Sequence, residues 1–556
     1  MKDLEEVGSL VVGMEEGSRF DSQHRGCCVM KRLNLRLRLF IDGLVARFCE
    51  LSGVKALGLV FLVGFVVRLV PELLAGAAPI GFDTVYYAAV MKSGVILANW
   101  SSFFTSSWLL KALTVPLYGV LQVDPFLLLK VVAPSLYGLS VAGVYWLGRR
   151  MLGWDVKMCL AAAGLFAVQL AALRISWDLL RNTLGMGLLL FALPFVGKLE
   201  SKRNVAVFAF LSLLTVFAHE YSAVALVVVV LGVLGLRLAR KTFGRSEALT
   251  FLAFLPALAV FLTGMFLRFF PIRYGVETTA FSTGEAYVGR FKFFVNYLVV
   301  NDGVFHYPAY TDLLIDVMLL FALLYLSYLF LVWKGFFRNG VLDVWTLLFL
   351  VGSFGCLVWP FFALDLWSRW MFMLVYPFTF YAVNGLFRLL RGSDGAKGKI
   401  GGFGKKAVFA ALGVTLVLGS VYLATPFLMN TGQAGVFVLP YVSAHFSSAP
   451  AVPYQDVESV SEAWTWLNEN IDSNSCVLVN HVFIEWEQLL LDKSHVTIHF
   501  WNDGGLALGD AVGRGFSSVY FVWWNTDIGW YNVSVPDQFM RLRDFGRLSV
   551  YEFRSG

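Results

Sequence analysis

A series of long apolar runs constrains the fold of this chain more than any other feature of its sequence. The runs lie near residues 52–75, 130–152, 157–173, 183–197, 204–218, 222–238, 248–267, 312–333, 343–363, 369–388 and 406–428. Hydrophobic residues make up 58% of the 556 positions and charged residues only 15%, whereas a soluble domain is about one-quarter charged. We therefore predict a polytopic α-helical membrane protein with about eleven transmembrane helices.

The distribution of Lys and Arg predicts the orientation of these helices. Basic residues concentrate in alternate loops, for example Arg149 and Arg150, or Arg237 to Arg245, which favours a cytosolic position for those loops. Residues 1–50 form a polar tail followed by a basic amphipathic helix, and we expect them in the cytosol. The net charge of +6 is thus explained by membrane orientation, and we predict no nucleic-acid partner.

Three regions follow from hydropathy. Residues 51–430 form the predicted membrane region, in which the outer segments 76–129 and 268–311 are too long for simple connectors and are expected to carry function. Residues 106–122 are apolar but short and interrupted at Pro116, which favours a re-entrant or interfacial helix over a crossing. Residues 450–556 alternate helix-like and strand-like segments, ending in a helix and a strand, which predicts a small extracytoplasmic α/β domain with a mainly parallel sheet.

Ionisable residues concentrate at the predicted outer ends of the helices, where a charge needs a partner, water or a function. They are Asp83, Arg174, Asp178, Arg181, His219, Glu220, Arg268, Arg273, Asp365 and Arg369. Because they come from different loops at one membrane level, we predict a shared cavity suited to a phosphate-linked lipid. Simpler roles are a helix cap for Asp83, an ion pair four residues apart for Arg369 with Asp365, and a helix-surface set of ion pairs for Arg174, Asp178 and Arg181.

Several motifs in order resemble the C-superfamily of integral-membrane glycosyltransferases over roughly residues 50–430. They are Asp83 in the first outer loop, Pro116-Leu117-Tyr118, Gly148-Arg149-Arg150, the LRNTLG segment from Leu180, and Arg369 at the start of a span containing Tyr376-Pro377 and Asn384-Gly385. Two features depart from the family. Thr84 follows Asp83 where many members have a second acid, and Trp523-Trp524-Asn525 lacks the acid of the oligosaccharyltransferase motif. We interpret that string as the end of a buried strand.

The resemblance implies a glycosyltransferase that moves a hexosyl or pentosyl group from a polyprenyl-phosphate donor to a lipid, glycan or protein on the extracytoplasmic face, with inversion. Asp83 is then the candidate catalytic base, and Arg369, with Arg268 and Arg273, binds the donor phosphate. Asp178 or Glu220 orients the acceptor or helps to hold a divalent cation; no dedicated metal site is predicted. The remaining candidates for the acceptor cavity are Arg174, Arg181, His219, Tyr86 and Tyr87.

Two other classes of function stay open at this level. A multi-pass transporter or lipid-linked-glycan flippase predicts charges deep within spans and internally repeated halves. A non-enzymatic membrane scaffold predicts tolerance to substitution of Asp83. The short loops and the absence of a retention signal favour a prokaryotic cell membrane.

Overall fold

The computed structural model describes residues 53–77, 79–269, 294–298, 307–392, 399–426, 443–446, 452–472, 475–492, 495–500, 503–525 and 533–554. Residues 1–50, Arg273 and most of the segment 268–311 therefore lie outside the described residues, as do the predictions made for them.

The described membrane region is almost wholly helical. Its helices are α1 (Gly53–Leu74), α2 (Thr84–Ser93), α3 (Ser102–Thr105), α4 (Leu109–Leu121), α5 (Pro125–Arg150), α6 (Val156–Val168), α7 (Leu170–Asp178), α8 (Leu180–Ala192), α9 (Lys202–Ala218), α10 (Glu220–Ala239), α11 (Arg245–Phe269), α12 (Tyr310–Tyr325), α13 (Leu329–Gly335), α14 (Gly340–Val358), α15 (Trp367–Met373), α16 (Val375–Gly392) and α17 (Lys399–Leu423). A two-residue antiparallel pair, β1 (Phe294–Val295) with β2 (Ala363–Leu364), precedes α15.

All the predicted apolar runs coincide with helices, so the polytopic helical class is confirmed. Among the described residues, seven helices are long and apolar enough to cross a membrane, and nine candidates result if the bent pairs α6–α7 and α12–α13 each count as one span. The two other predicted runs fall on α8 and α9, which have 13 and 17 residues. Helix α4 also has 13 residues, about 20 Å of length, which supports the prediction of an interfacial segment.

The C-terminal region contains a five-stranded sheet in the order β4-β3-β5-β7-β6. Its elements are α18 (Val457–Asn470), β3 (Cys476–Asn480), α19 (Ile484–Leu490), β4 (Val496–Phe500), α20 (Gly504–Gly513), β5 (Ser518–Trp524), β6 (Met540–Asp544) and β7 (Leu548–Arg554). Strand β3 is parallel to β4 and β5, but β7 is antiparallel to β5 and β6. The predicted mainly parallel sheet is therefore half antiparallel.

The prediction of a helix before the last strand is wrong. Within residues 533–554 the structure has strand β6 before β7. A turn at residues 545–547 joins the two strands, and β6 is exposed throughout. An exposed edge strand lacks the apolar alternation that identifies a half-buried strand in sequence. The interpretation of Trp523 and Trp524 as the end of a buried strand is confirmed.

Breaks in three helices bring polar groups to one end of the bundle. The backbone leaves helical geometry at Gln169, Leu179 and His219. Such breaks are tolerated at membrane depth only where protein groups satisfy the freed carbonyls. Tyr137 donates to the carbonyls of residues 166 and 167 at 3.1 and 3.0 Å. The fully buried Arg68 of α1 donates to the carbonyls of residues 176 and 177, both at 3.2 Å.

Arg68 also has an acidic partner. Its Nη1 lies 2.8 Å from Glu72 one turn later in α1, and Glu72 is also 3.4 Å from Lys130 of α5. A charge at mid-bilayer costs about 2.5–3.5 kcal/mol on insertion scales, so this network offsets the burial of Arg68. The network explains the basic residue that the sequence places inside the first apolar run.

Glycines allow a close helix contact between α13 and α16. A Cβ atom on Gly335 or Gly385 would overlap backbone atoms of the opposite helix. Asn384 donates to the Gly335 carbonyl at 2.7 Å, which satisfies a carbonyl at the end of α13. Small residues permit this kind of approach between membrane helices.

We predict that Gly385→Ala lowers the free energy of unfolding by about 1–3 kcal/mol, because the added methyl group forces α13 away from α16. The apparent melting temperature of detergent-solubilised protein measures the effect. Gly413→Ala is the matched control, since Gly413 is an exposed helical glycine with no atom within 4 Å of an added Cβ. Equal melting temperatures for the two variants would contradict the prediction.

Candidate functional site

The candidate residues meet at one end of the bundle, which we call the site end: the loop before α2, the α7–α8 and α9–α10 breaks, and the start of α15. Asp83 immediately precedes α2, and its carboxylate makes no capping hydrogen bond to that helix. The simpler role as a helix cap is therefore not realised. The side chain is partly exposed.

The charges around Asp83 come from elements distant in sequence. Its carboxylate lies within electrostatic range of Asp178, Arg369, Arg181 and Arg174. Burial raises the pKa of Asp83, the negative charge of Asp178 raises it further, and the three arginines oppose the rise. The predicted convergence of these five residues is thus present. A carboxyl with a raised pKa among several charged groups is a typical candidate for proton transfer.

Asp178 ties the loop of Asp83 to the α7–α8 break. It accepts a hydrogen bond from the Phe82 amide at 3.3 Å and pairs with Arg174, one turn earlier in α7. Gly81 allows this close contact, because it has φ +92° and an added Cβ would lie 2.9 Å from the Trp177 carbonyl oxygen. Arg174 and Asp178 do form the expected i, i+4 pair, but both are buried and part of the site.

Arg181 lies next to the aromatic residues that follow Asp83. Its guanidinium carbon lies 5.8 Å from the ring centre of Tyr86 and 6.0 Å from that of Tyr87, which is cation–π distance. Arg181 also lies within electrostatic range of Glu220 and Asp83. The LRNTLG segment therefore contributes a cation to the same group of charges as the first outer loop.

His219 and Glu220 occupy the α9–α10 break. His219 Nδ1 accepts from the Tyr221 amide at 3.3 Å, and its Nε2 lies 3.8 Å from Glu220. Tyr221 packs edge-on against Trp370 of α15 at 4.8 Å. His219 thus has the structural capping role that competes with a catalytic one, while Tyr221 extends the wall of the site toward α15.

Arg369 lies in α15, within electrostatic range of both Asp83 and Tyr221. Asp365, which the sequence suggests as its ion-pair partner, accepts a hydrogen bond from the Leu366 amide at 2.8 Å. The other proposed phosphate-binding residues, the Arg268 side chain and Arg273, lie outside the described residues, so their assignment stays a prediction.

The sequence analysis missed a buried acid in the predicted span 312–333. Asp316 of α12 is only 3% exposed, and it accepts hydrogen bonds from Tyr307 at 2.6 Å and from His445 at 3.0 Å. The signal was available, because an acid inside an apolar run needs a partner. That partner, however, is 129 residues away along the chain.

The C-terminal sheet region also reaches the site end. Helix α19 packs on α2, where Lys92 donates to the Leu489 carbonyl at 2.8 Å. Burial raises the pKa of Glu485, and the nearby charge of Asp83 contributes to the rise. The sequence analysis assigned no site residue to this region.

The described residues contain no group of three or more His, Cys, Asp or Glu side chains placed to hold a metal ion. The acids of the site end are instead surrounded by arginines. Participation of Asp178 or Glu220 in a divalent-cation site stays a prediction.

No protein-family model and no curated protein match the sequence. Solved structures do share its architecture. The arabinofuranosyltransferase AftD from Mycobacteria aligns with a TM-score of 0.52 and 13% identity over 91% of this chain. The aligned part is 40% of AftD.

Two further structures align at lower scores. ArnT from Cupriavidus metallidurans in the apo state has a TM-score of 0.49 and 14% identity over 90% of this chain and 98% of its own. The oligosaccharyltransferase AglB from Archaeoglobus fulgidus, in complex with an inhibitory peptide and a dolichol-phosphate, has a TM-score of 0.47 and 12% identity over 83% and 69%. The predicted resemblance is confirmed by the alignment with AftD, and it concerns the fold alone.

We predict that Gly81→Ala destabilises the protein more than Gly94→Ala. Both glycines have positive φ, so each substitution carries a backbone penalty of about 1–2 kcal/mol. Only Gly81 would in addition collide with Asp178 and Trp177, since nothing lies within 4 Å of an added Cβ at Gly94. Melting temperatures of the two variants measure the difference; equal losses would show that the Gly81 contact is unimportant.

Proposed function

We propose that this protein is a membrane glycosyltransferase that transfers a sugar from a polyprenyl-phosphate donor to an acceptor on the extracytoplasmic face. The observation that carries the proposal is the convergence of Asp83 with Arg174, Arg181 and Arg369 at the site end. One accessible carboxylate among fixed cations suits a reaction in which a proton leaves one reactant and an anion leaves the other.

Asp83 acts as the general base. A carboxylate within hydrogen-bond reach of an acceptor hydroxyl takes its proton as the oxygen attacks the anomeric carbon. The bond from that carbon to the donor phosphate breaks in the same step, so the configuration inverts. Asp178 holds Asp83 in place through the Phe82 amide and is itself neutralised by Arg174.

The arginines stabilise the departing phosphate. Negative charge builds on the lipid phosphate as the sugar leaves, and guanidinium groups bind phosphate oxygens in bidentate fashion. Arg369 is assigned to this role because, of the three arginines, its charge lowers the pKa of Asp83 most. Arg181 is a second candidate. Arg268 and Arg273, predicted from the sequence for the same role, stay further candidates.

We predict that Asp83→Asn binds donor but transfers no sugar, because the substitution preserves shape and removes the base. Wild type and variant are compared in nanodiscs with a panel of polyprenyl-phosphate sugars, by donor binding and by sugar transfer or release. The expected loss of turnover is at least about 100-fold. Asp503→Asn is the matched control, since Asp503 caps α20 through its side chain and Asn caps equally well.

Three outcomes decide between the classes of function. Turnover by Asp83→Asn at the wild-type rate removes Asp83 from the mechanism. Translocation of the donor across the membrane of vesicles that contain the protein, without sugar transfer, favours a flippase. The absence of donor binding by folded wild type favours a scaffold.

We predict that activity falls at low pH with a midpoint above the ordinary Asp value of 3.8, because the base must be deprotonated and its pKa is raised. In Asp178→Asn this midpoint moves to lower pH, since removal of the neighbouring negative charge lowers the pKa of Asp83. The pH profile of kcat/KM for both proteins measures the shift. A midpoint that moves upward in the variant would contradict the assignment.

A further inference from the structure

His445 lies between α17 and α18 in sequence, within a short 3-10 turn over residues 443–446. It is 3% exposed and contacts three helices of the membrane region. Nothing in the sequence marks it as part of the site. Its main-chain carbonyl and its imidazole contact different elements: Arg174 of α7 on one hand, and Asp316 of α12 and Trp367 of α15 on the other.

The main chain of His445 contacts the acidic side of the site. Its carbonyl oxygen accepts a short hydrogen bond from Arg174 Nε. The same guanidinium pairs with Asp178, whose other oxygen accepts from the Phe82 amide. A continuous series of contacts therefore leads from His445 to the residue before Asp83.

The imidazole contacts the side that carries Arg369. Its Nε2 lies 3.0 Å from Asp316 of α12, which Tyr307 also binds at 2.6 Å. The ring packs edge-on against Trp367 at 5.1 Å between ring centres. Trp367 is the first residue of α15, two positions before Arg369, and its amide donates to the Tyr297 hydroxyl at 3.1 Å.

We propose that His445 is a positioning residue that fixes the spacing between the candidate base Asp83 and the candidate phosphate-binding Arg369. The inference rests on the proposed function. Asp316 is an acid in an apolar helix and is stabilised only when paired, so its bond to His445 holds the turn in place. The held turn presents its carbonyl to Arg174 and its ring to Trp367, and thereby orients both halves of the site at once.

Misplacement of reacting groups by about 1 Å reduces rates by up to about 100-fold. We therefore expect His445→Ala to lower kcat by roughly 10- to 100-fold, while the donor KM changes by less than about threefold. His445→Gln keeps a side-chain donor for Asp316 and should recover part of the loss. Asp316→Asn should resemble His445→Ala, because it removes the charged acceptor.

The matched control is Tyr520→Phe, which removes another buried hydrogen bond to a carboxylate, to Glu552 at 3.0 Å, within the C-terminal sheet. It should leave kcat unchanged. Hydrogen exchange of the full-length protein in nanodiscs supplies a readout without turnover. In His445→Ala, peptides covering residues 79–84 and 366–370 should exchange faster, while those covering α13 and α16 keep the wild-type rate.

The possible outcomes are distinct. Unchanged kcat and unchanged exchange in both peptides overturn the proposal, and so does a loss of protection throughout the chain, which would make His445 a general stability residue. If wild type uses no donor, the proposed function fails. The exchange pattern then still decides whether His445 connects the two halves of the site end.

Discussion

The structure depends on how the membrane region satisfies backbone groups where its helices break. Chain breaks at Gln169, Leu179 and His219 would each leave carbonyl or amide groups without partners in an apolar environment. Tyr137 and Arg68 supply the missing donors for the first two. Because these donors stabilise the first two breaks, they also help to determine where the polar ends of α7 and α8 meet.

The electrostatics of the site end follow from that geometry. Polar residues lie beside the breaks, and the acids are close to cations: Asp178 pairs with Arg174, and Asp83 lies among several arginines. Asp83 combines partial exposure with the absence of a capping bond. This combination separates a residue available for chemistry from residues that maintain the fold.

The sequence predicted the class of fold and named several of the charged residues that meet at the site end, because apolar length and misplaced charges are local signals. Asp83, Asp178 and Arg369 were all found in this way. Asp316 and His445 were missed because they contact each other across 129 residues of sequence, and a single sequence does not show such a contact. Strand β6 was misassigned because an exposed edge strand carries no burial pattern. The kinks at Gln169 and Leu179 had no proline to mark them.

One cluster of buried hydrophobic residues runs from α2, with Val85 and Ala88, into the strands β3 and β5, with Val477 and Phe521. The C-terminal region and the loop that carries Asp83 thus share a core. A region built in this way cannot be exchanged between homologous chains as an independent module. Any change in the sheet that alters α19 also moves α2, so the two regions are constrained to evolve together.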